Sequence, residues 1–118
     1  MTDERFEVQG RPAESRYVLV DHEAANKVIG EEDYVDVEAA DGGVQRVLFH
    51  TGVSDDYSGQ GLASQLVRAV VEDVIANGYA IVPVCQYVAA WLPKHPEYAE
   101  HVVKPRPEHL RAVASREK

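Results

Sequence analysis

From residue 62 onward, apolar side chains recur every fourth position. Leu62, Leu66, Val70 and Val74 are joined by Ala63, Val67, Val71 and Ile75, while Gln65, Arg68, Glu72 and Asp73 fall on the opposite face. That spacing predicts an amphipathic helix of about four turns, stopped by Asn77-Gly78. Upstream the period is two. Over residues 33–39, Tyr34, Asp36 and Glu38 face one way and Val35, Val37 and Ala39 the other. Asp41-Gly42-Gly43 is a turn signal, and residues 44–51 resume as a strand, which predicts a hairpin. Arg16–Asp21 also has strand composition. Residues 79–84 are nearly all apolar and suit a short buried strand parallel to a neighbour. Strand, loop, helix and strand in this order make a crossover unit. Residues 85–92 predict a second helix, with Tyr87/Trp91 and Val88/Leu92 as i,i+4 pairs and Pro93 as its stop. Residues 107–116 predict a last short helix. Residues 1–15, polar and containing Pro12, read as a loose N-terminal arm.

The expected class is therefore α/β of the α+β kind, with a mixed, mostly antiparallel sheet. The chain has 118 residues, 45% of them hydrophobic, enough for one packed domain. Its expected organisation is an arm over 1–15, a domain over 16–104 and a tail or short helix over 105–118. One core accounts for the apolar residues, so a monomer is expected. No apolar run approaches the length of a membrane span, and the start of the chain lacks the basic and apolar regions of a signal peptide. With a single cysteine, Cys85, that makes the cytoplasm the expected location and no membrane the expectation.

The net charge of −8 disfavours nucleic acid as a partner, because phosphate binding needs clustered Lys and Arg. Residues 21–56 hold ten Asp or Glu against only Lys27 and Arg46. An acidic body of this kind favours a cationic substrate such as an amine.

The candidate chemistry begins with Ser58-Gly59-Gln60-Gly61-Leu62-Ala63, at the mouth of the long helix. A glycine loop there presents unpaired backbone N–H groups at the positive end of the helix dipole, and glycine lets an anion approach closely. Gly59 and Gly61 alone would serve a tight turn equally well. A Walker loop and a dinucleotide fingerprint are both incomplete here. Cys85, at the end of the 79–84 strand and the start of the next helix, is either a nucleophile or a small buried residue. His50, at a strand end, is either a general base for an ammonium substrate or a structural hydrogen-bonder. The histidines show no metal-ligand spacing with each other or with Cys85, so no metal is expected.

Four segments follow in order: His50-Thr51-x-Val53; Gly59-Gln60-Gly61-x-Ala63-x-x-Leu66-Val67; Val82-Pro83-x-Cys85; and Val88-Ala89-Ala90-Trp91-x-x-x-His95-Pro96-x-Tyr98. Together they resemble the GNAT acetyltransferase superfamily, and within it the small single-domain YjdJ-like branch, over about residues 16–102. The resemblance implies a minimal GNAT-like fold, in which the glycine loop caps a central helix and a second helix follows the last strand. It implies an acetyl-CoA-dependent N-acetyltransferase acting on a primary amine, either a small molecule or a protein lysine. Ser58, Gly59, Gln60, Gly61, Leu62 and Ala63 would hold the pyrophosphate. Thr51, Gly52 and Val53 would line the pantetheine in a cleft between strands 47–53 and 79–84. Cys85 and His50 would be the catalytic residues, with Cys85 acting as a covalent acetyl carrier or lying next to the thioester. Relatives carry Arg where this chain has Ser58, which removes one cation from the phosphate site. The alternative implied is a CoA or acyl-CoA-binding module without catalysis.

Overall fold

The computed structural model describes residues 5–117. Residues 1–4 of the expected arm and residue 118 of the expected tail lie outside the described residues. Five strands form one sheet in chain order: β1 (Phe6–Arg11), β2 (Arg16–Asp21), β3 (Lys27–Glu38), β4 (Val44–Val53) and β5 (Ala80–Pro83). All neighbours pair antiparallel except β4 and β5, which are parallel. Parallel pairing requires a crossover, and helix α1 (Leu62–Ala76) supplies it. Two helices follow, α2 (Gln86–Trp91) and α3 (Pro107–Glu117). The sheet is mixed and mostly antiparallel, as expected. None of the described helices is long and apolar enough to cross a membrane.

The period-four stripe of α1 is buried as its spacing requires: Leu62, Leu66, Val67, Val70, Val71 and Val74 pack against Leu19, Tyr34, Leu48 and Ile81 of the sheet. Each such side chain contributes about 1.5–3 kcal/mol on burial. Val18, Val20, Val47 and Val82 alternate with the sheet residues of that layer and so face the other side. There α3 lies against β3 and β4, with Arg116 over the Phe49 ring and the buried His109 bonded to Gln45 at 2.7 Å. His109 Nδ1 accepts the Arg106 N–H at 2.9 Å, so Nε2 carries the proton it gives to Gln45.

Two sequence expectations change. Residues 6–11 are not a loose arm but the edge strand β1, paired along its length with β2, and Phe6 is buried in the core. The strand expected over 33–39 begins at Lys27, because β2 pairs it from Asp21↔Lys27 to Arg16↔Asp33. The last helix runs over the expected residues and docks on the sheet rather than trailing from it. Pro93 ends the α-helical part of residues 85–92, which continue as a 3-10 turn over Leu92–Lys94.

Candidate active site

Residues 55–57 form a 3-10 turn, after which Gly59 and Gly61 adopt φ of +79° and +70°. Such angles favour glycine over any residue with a Cβ. Space is not what selects glycine, since a Cβ at either position would meet nothing within 4 Å. The backbone N–H groups of Gly59, Gln60, Gly61, Leu62, Ala63 and Ser64 have no acceptor among the described residues. Ser58 differs, because its N–H is taken by Asp55 O at 3.1 Å, leaving its side chain as its contribution. The loop is thus an arc of free donors, exposed over residues 58–61, at the positive end of a 15-residue helix, which fits a phosphate group. Leu62 turns its side chain into the core and offers only its backbone to the arc.

The approach to the loop is pinned. Tyr57 donates to Asp21 Oδ2 at 2.5 Å, and its ring meets Phe6 edge-on. Asp21 is buried and also takes the Arg5 guanidinium at 3.0 and 3.1 Å, which holds its carboxyl well below the usual carboxylate range. On the other side, Trp91 of α2 donates its indole N–H to Ser64 in the first turn of α1 at 2.8 Å. Trp91 stacks on both His95 and Tyr98. His95 accordingly fixes the turn after α2, its Nδ1 lying 2.8 Å from the Trp91 carbonyl. The Tyr98 hydroxyl is committed to Glu72 and Arg68.

Strands β4 and β5 part at Leu48. Their register ends at Leu48↔Pro83, and the Leu48 carbonyl then accepts both Val84 and Cys85 N–H groups, at 3.0 and 2.9 Å. Beyond that point β4 continues to Val53 with β3 as its only strand partner among the described residues, and a wedge opens between β4 and β5. Cys85 and Thr51 stand in this wedge, Sγ to Oγ1 3.1 Å.

A β-bulge decides which β4 residues reach the wedge. Tyr34 pairs with Leu48 and Asp33 with His50, so Phe49 is an extra residue. The bulge turns Thr51 to the face that Leu48 and Cys85 occupy, and it turns His50 to the other. His50 is exposed there and pairs through Nε2 with Glu31 at 3.0 Å. A Cβ at Gly52 would run into that same Glu31 carboxylate. The structure therefore brings Thr51 and Cys85 together and does not bring His50 to them. Val53 packs against the core.

One residue of the site was not singled out from the sequence. Glu32 lies between Tyr17 on β2 and Thr51 on β4, and has no solvent exposure. Its Oε1 accepts the Thr51 hydroxyl, while Oε2 has no partner among the described residues. Burial pushes the Glu32 carboxyl up to about 9, with the neighbouring Cys85 and Asp33 adding to the rise and the hydrogen bonds from the Thr51 hydroxyl and the His50 backbone opposing it. A carboxyl, a hydroxyl and a thiol thus stand in one continuous line at the strand opening. Helix α2, six residues long, is too short to set the thiol's environment by its dipole, so the side chains do so. Among the described residues no three His, Cys, Asp or Glu side chains are grouped to hold a metal ion.

Residues 16–102 match the profile of the GCN5-related N-acetyl-transferase family. Among solved structures, a GCN5-like protein from Staphylococcus aureus, assigned as an N-acetyltransferase, superposes with a TM-score of 0.60 at 27% identity. The match covers 91% of this chain and 97% of that one. Arabidopsis thaliana Naa50, solved with the bisubstrate analogue CoA-Ac-MVNAL, gives a TM-score of 0.46 at 19% identity over 58% of this chain and 44% of that one. A ribosomal-protein-alanine N-acetyltransferase from Brucella melitensis gives 0.47 at 17% identity over 60% and 51%. No curated protein matches the sequence.

Proposed function

The chain belongs to the GCN5-related N-acetyltransferase family, and on that premise we propose that it transfers the acetyl group of acetyl-CoA to a primary amine. The observation that carries this reading is the run of six unpaired backbone N–H groups from Gly59 to Ser64. These donors suit the pyrophosphate of acetyl-CoA. The wedge between β4 and β5 suits the pantetheine arm, which would bring the thioester to Thr51 and Cys85. The free edge of β4 beyond Leu48 offers main-chain groups to the pantetheine amides and to the oxygen that becomes negative during acyl transfer. Cys85 is the acyl acceptor in this reading, forming an acetyl-Cys85 thioester that the amine then opens. His50, on the opposite face, takes no part in that step. The acidic stretch 21–56, ten Asp or Glu against Lys27 and Arg46, favours a cationic acceptor.

A thermal melt with CoA tests binding. Ligand at 100 times its dissociation constant stabilises the native state by ~2.7 kcal/mol, which raises the Tm of a chain this size by roughly 10 °C. An unchanged melt at millimolar CoA overturns the reading. Mass spectrometry after mixing with acetyl-CoA tests the acyl acceptor: one acetyl adduct is expected on the wild type and none on Cys85→Ala.

A further inference from the structure

Glu32 is the one buried acid at the strand opening, and the acetyl-transfer reading has given it no task. A buried carboxyl with one oxygen unsatisfied is costly, and ordinary packing does not retain it. Its satisfied oxygen leads to Thr51, and Thr51 leads to Cys85 at 3.1 Å. Two facing strands and the turn after β5 place the three groups, so their alignment belongs to the sheet rather than to a mobile loop.

We propose that Glu32, acting through the Thr51 hydroxyl, shares and accepts the proton of the Cys85 thiol when the thiol attacks an acyl thioester. The proposal rests on the reading of Cys85 as acyl acceptor. In the ionised form of Glu32, the Cys85 S–H gives its proton to Thr51 Oγ1, and Thr51 passes its own to the carboxylate at Oε1. The sulfur electron pair freed in this way forms the new bond to the acetyl carbonyl carbon. The bond between that carbon and the CoA sulfur breaks, and CoA leaves as a thiolate. One proton then returns from Glu32 through Thr51 to the departing sulfur, so protons and charge balance over the step. Glu32 touches no reacting atom; it positions and holds a proton for one that does.

The groups around Glu32 suit this work. Tyr17 lies across on β2 with its hydroxyl tied to Asp73 and Arg46, Asp33 follows on β3, the His50 backbone lies on β4, and Cys85 lies beyond Thr51. No cation among these holds Glu32 ionised. Burial brings the carboxyl into the range of an ordinary thiol, and proton exchange is fastest between groups of matched acidity.

Two measurements on the full chain test the relay. The first is the infrared band of the Glu32 carboxylic acid, isolated by subtracting the spectrum of Glu32→Gln and followed from pH 6 to 10.5. Capping Cys85 with iodoacetamide should shift the pH at which the band disappears. The second is the rate of acetyl-Cys85 formation from acetyl-CoA. Glu32→Gln and Thr51→Val should each lower it by about 100-fold. The double variant should be no slower than either single one, and Thr51→Ser should keep most of the rate. Should Glu32→Gln fail to fold, Thr51→Val carries the same comparison, with Thr51→Val supplying the reference spectrum for a displaced band. A band midpoint indifferent to capping, or acetylation at the wild-type rate in Thr51→Val, overturns the relay. A midpoint that shifts in a protein that binds CoA yet never forms the adduct supports the shared proton and overturns only the acyl-acceptor reading.

Discussion

Tyr57 and Asp21 are joined by a 2.5 Å hydrogen bond between the residue that precedes Ser58 and the end of β2. The bond ties the entrance of the glycine loop to the end of an interior strand. Tyr57→Phe keeps the ring against Phe6 and removes only the O–H. Its expected effect is a CoA dissociation constant raised roughly threefold to tenfold with the fold intact, read by isothermal titration calorimetry and circular dichroism.

Ser58 is exposed and stands where relatives are expected to carry arginine. A guanidinium there adds a charge-assisted contact to the phosphates, worth about 1.5–3 kcal/mol. Ser58→Arg is therefore expected to tighten CoA binding about tenfold or more. The gain should shrink as salt rises. Affinity equal to wild type at low salt would place the phosphates elsewhere.

Gly61 combines a φ of +70° with open space around its missing Cβ, so a substitution there is opposed by the backbone alone. Gly61→Ala is expected to cost about 1–2 kcal/mol. Gly61→Asn should cost less, because asparagine tolerates that region, and Gly61→Val more. Urea denaturation midpoints of the three variants check the order.

The carboxyl of Glu32 makes stability depend on pH in a stated direction. Its native value, about 9, lies above its ordinary value of 4.5. The native state keeps the proton that the unfolded state releases between those values, so stability falls as pH rises through that window. The slope is ~1.4 kcal/mol per pH unit for one proton. Glu32→Gln has no proton to keep. The difference in unfolding free energy between the two proteins should thus move in favour of the variant from pH 5 to pH 8, measured by urea titration. A parallel pair of curves would mean that Glu32 is ionised in the native protein.

The elements with strong periodicity were legible in the sequence because their pattern and their packing coincide. Leu66, Val70 and Val74 repeat at the helical period and are all buried, and Arg16–Asp21 pairs on both sides over the stretch its composition marks. The edge strand β1 was missed although Phe6, Val8 and Gly10 alternate with Glu7, Gln9 and Arg11. One side of an edge strand is solvated, and its polar residues read as a loose arm. Glu32 was missed for the opposite reason. Within Glu31-Glu32-Asp33 it looks like part of a solvated acidic face, and only pairing with Tyr17 and Thr51 buries it. His50 was misplaced by one residue's worth of geometry, since the bulge at Phe49 is invisible to a strict alternation. The glycine loop was legible as a turn, and its free donors were not, because hydrogen-bond partners are settled by the folded neighbourhood.

Trp91 is the chain's single tryptophan, and its indole N–H is bound to Ser64 within the first turn behind the glycine loop. The molecule therefore carries its own optical sensor for the site. The wavelength and intensity of indole emission respond to the hydrogen bond at Nε1 and to nearby charge. An anion seated on residues 59–64 would alter both without any label, so ligands can be ranked by fluorescence titration on the unmodified protein.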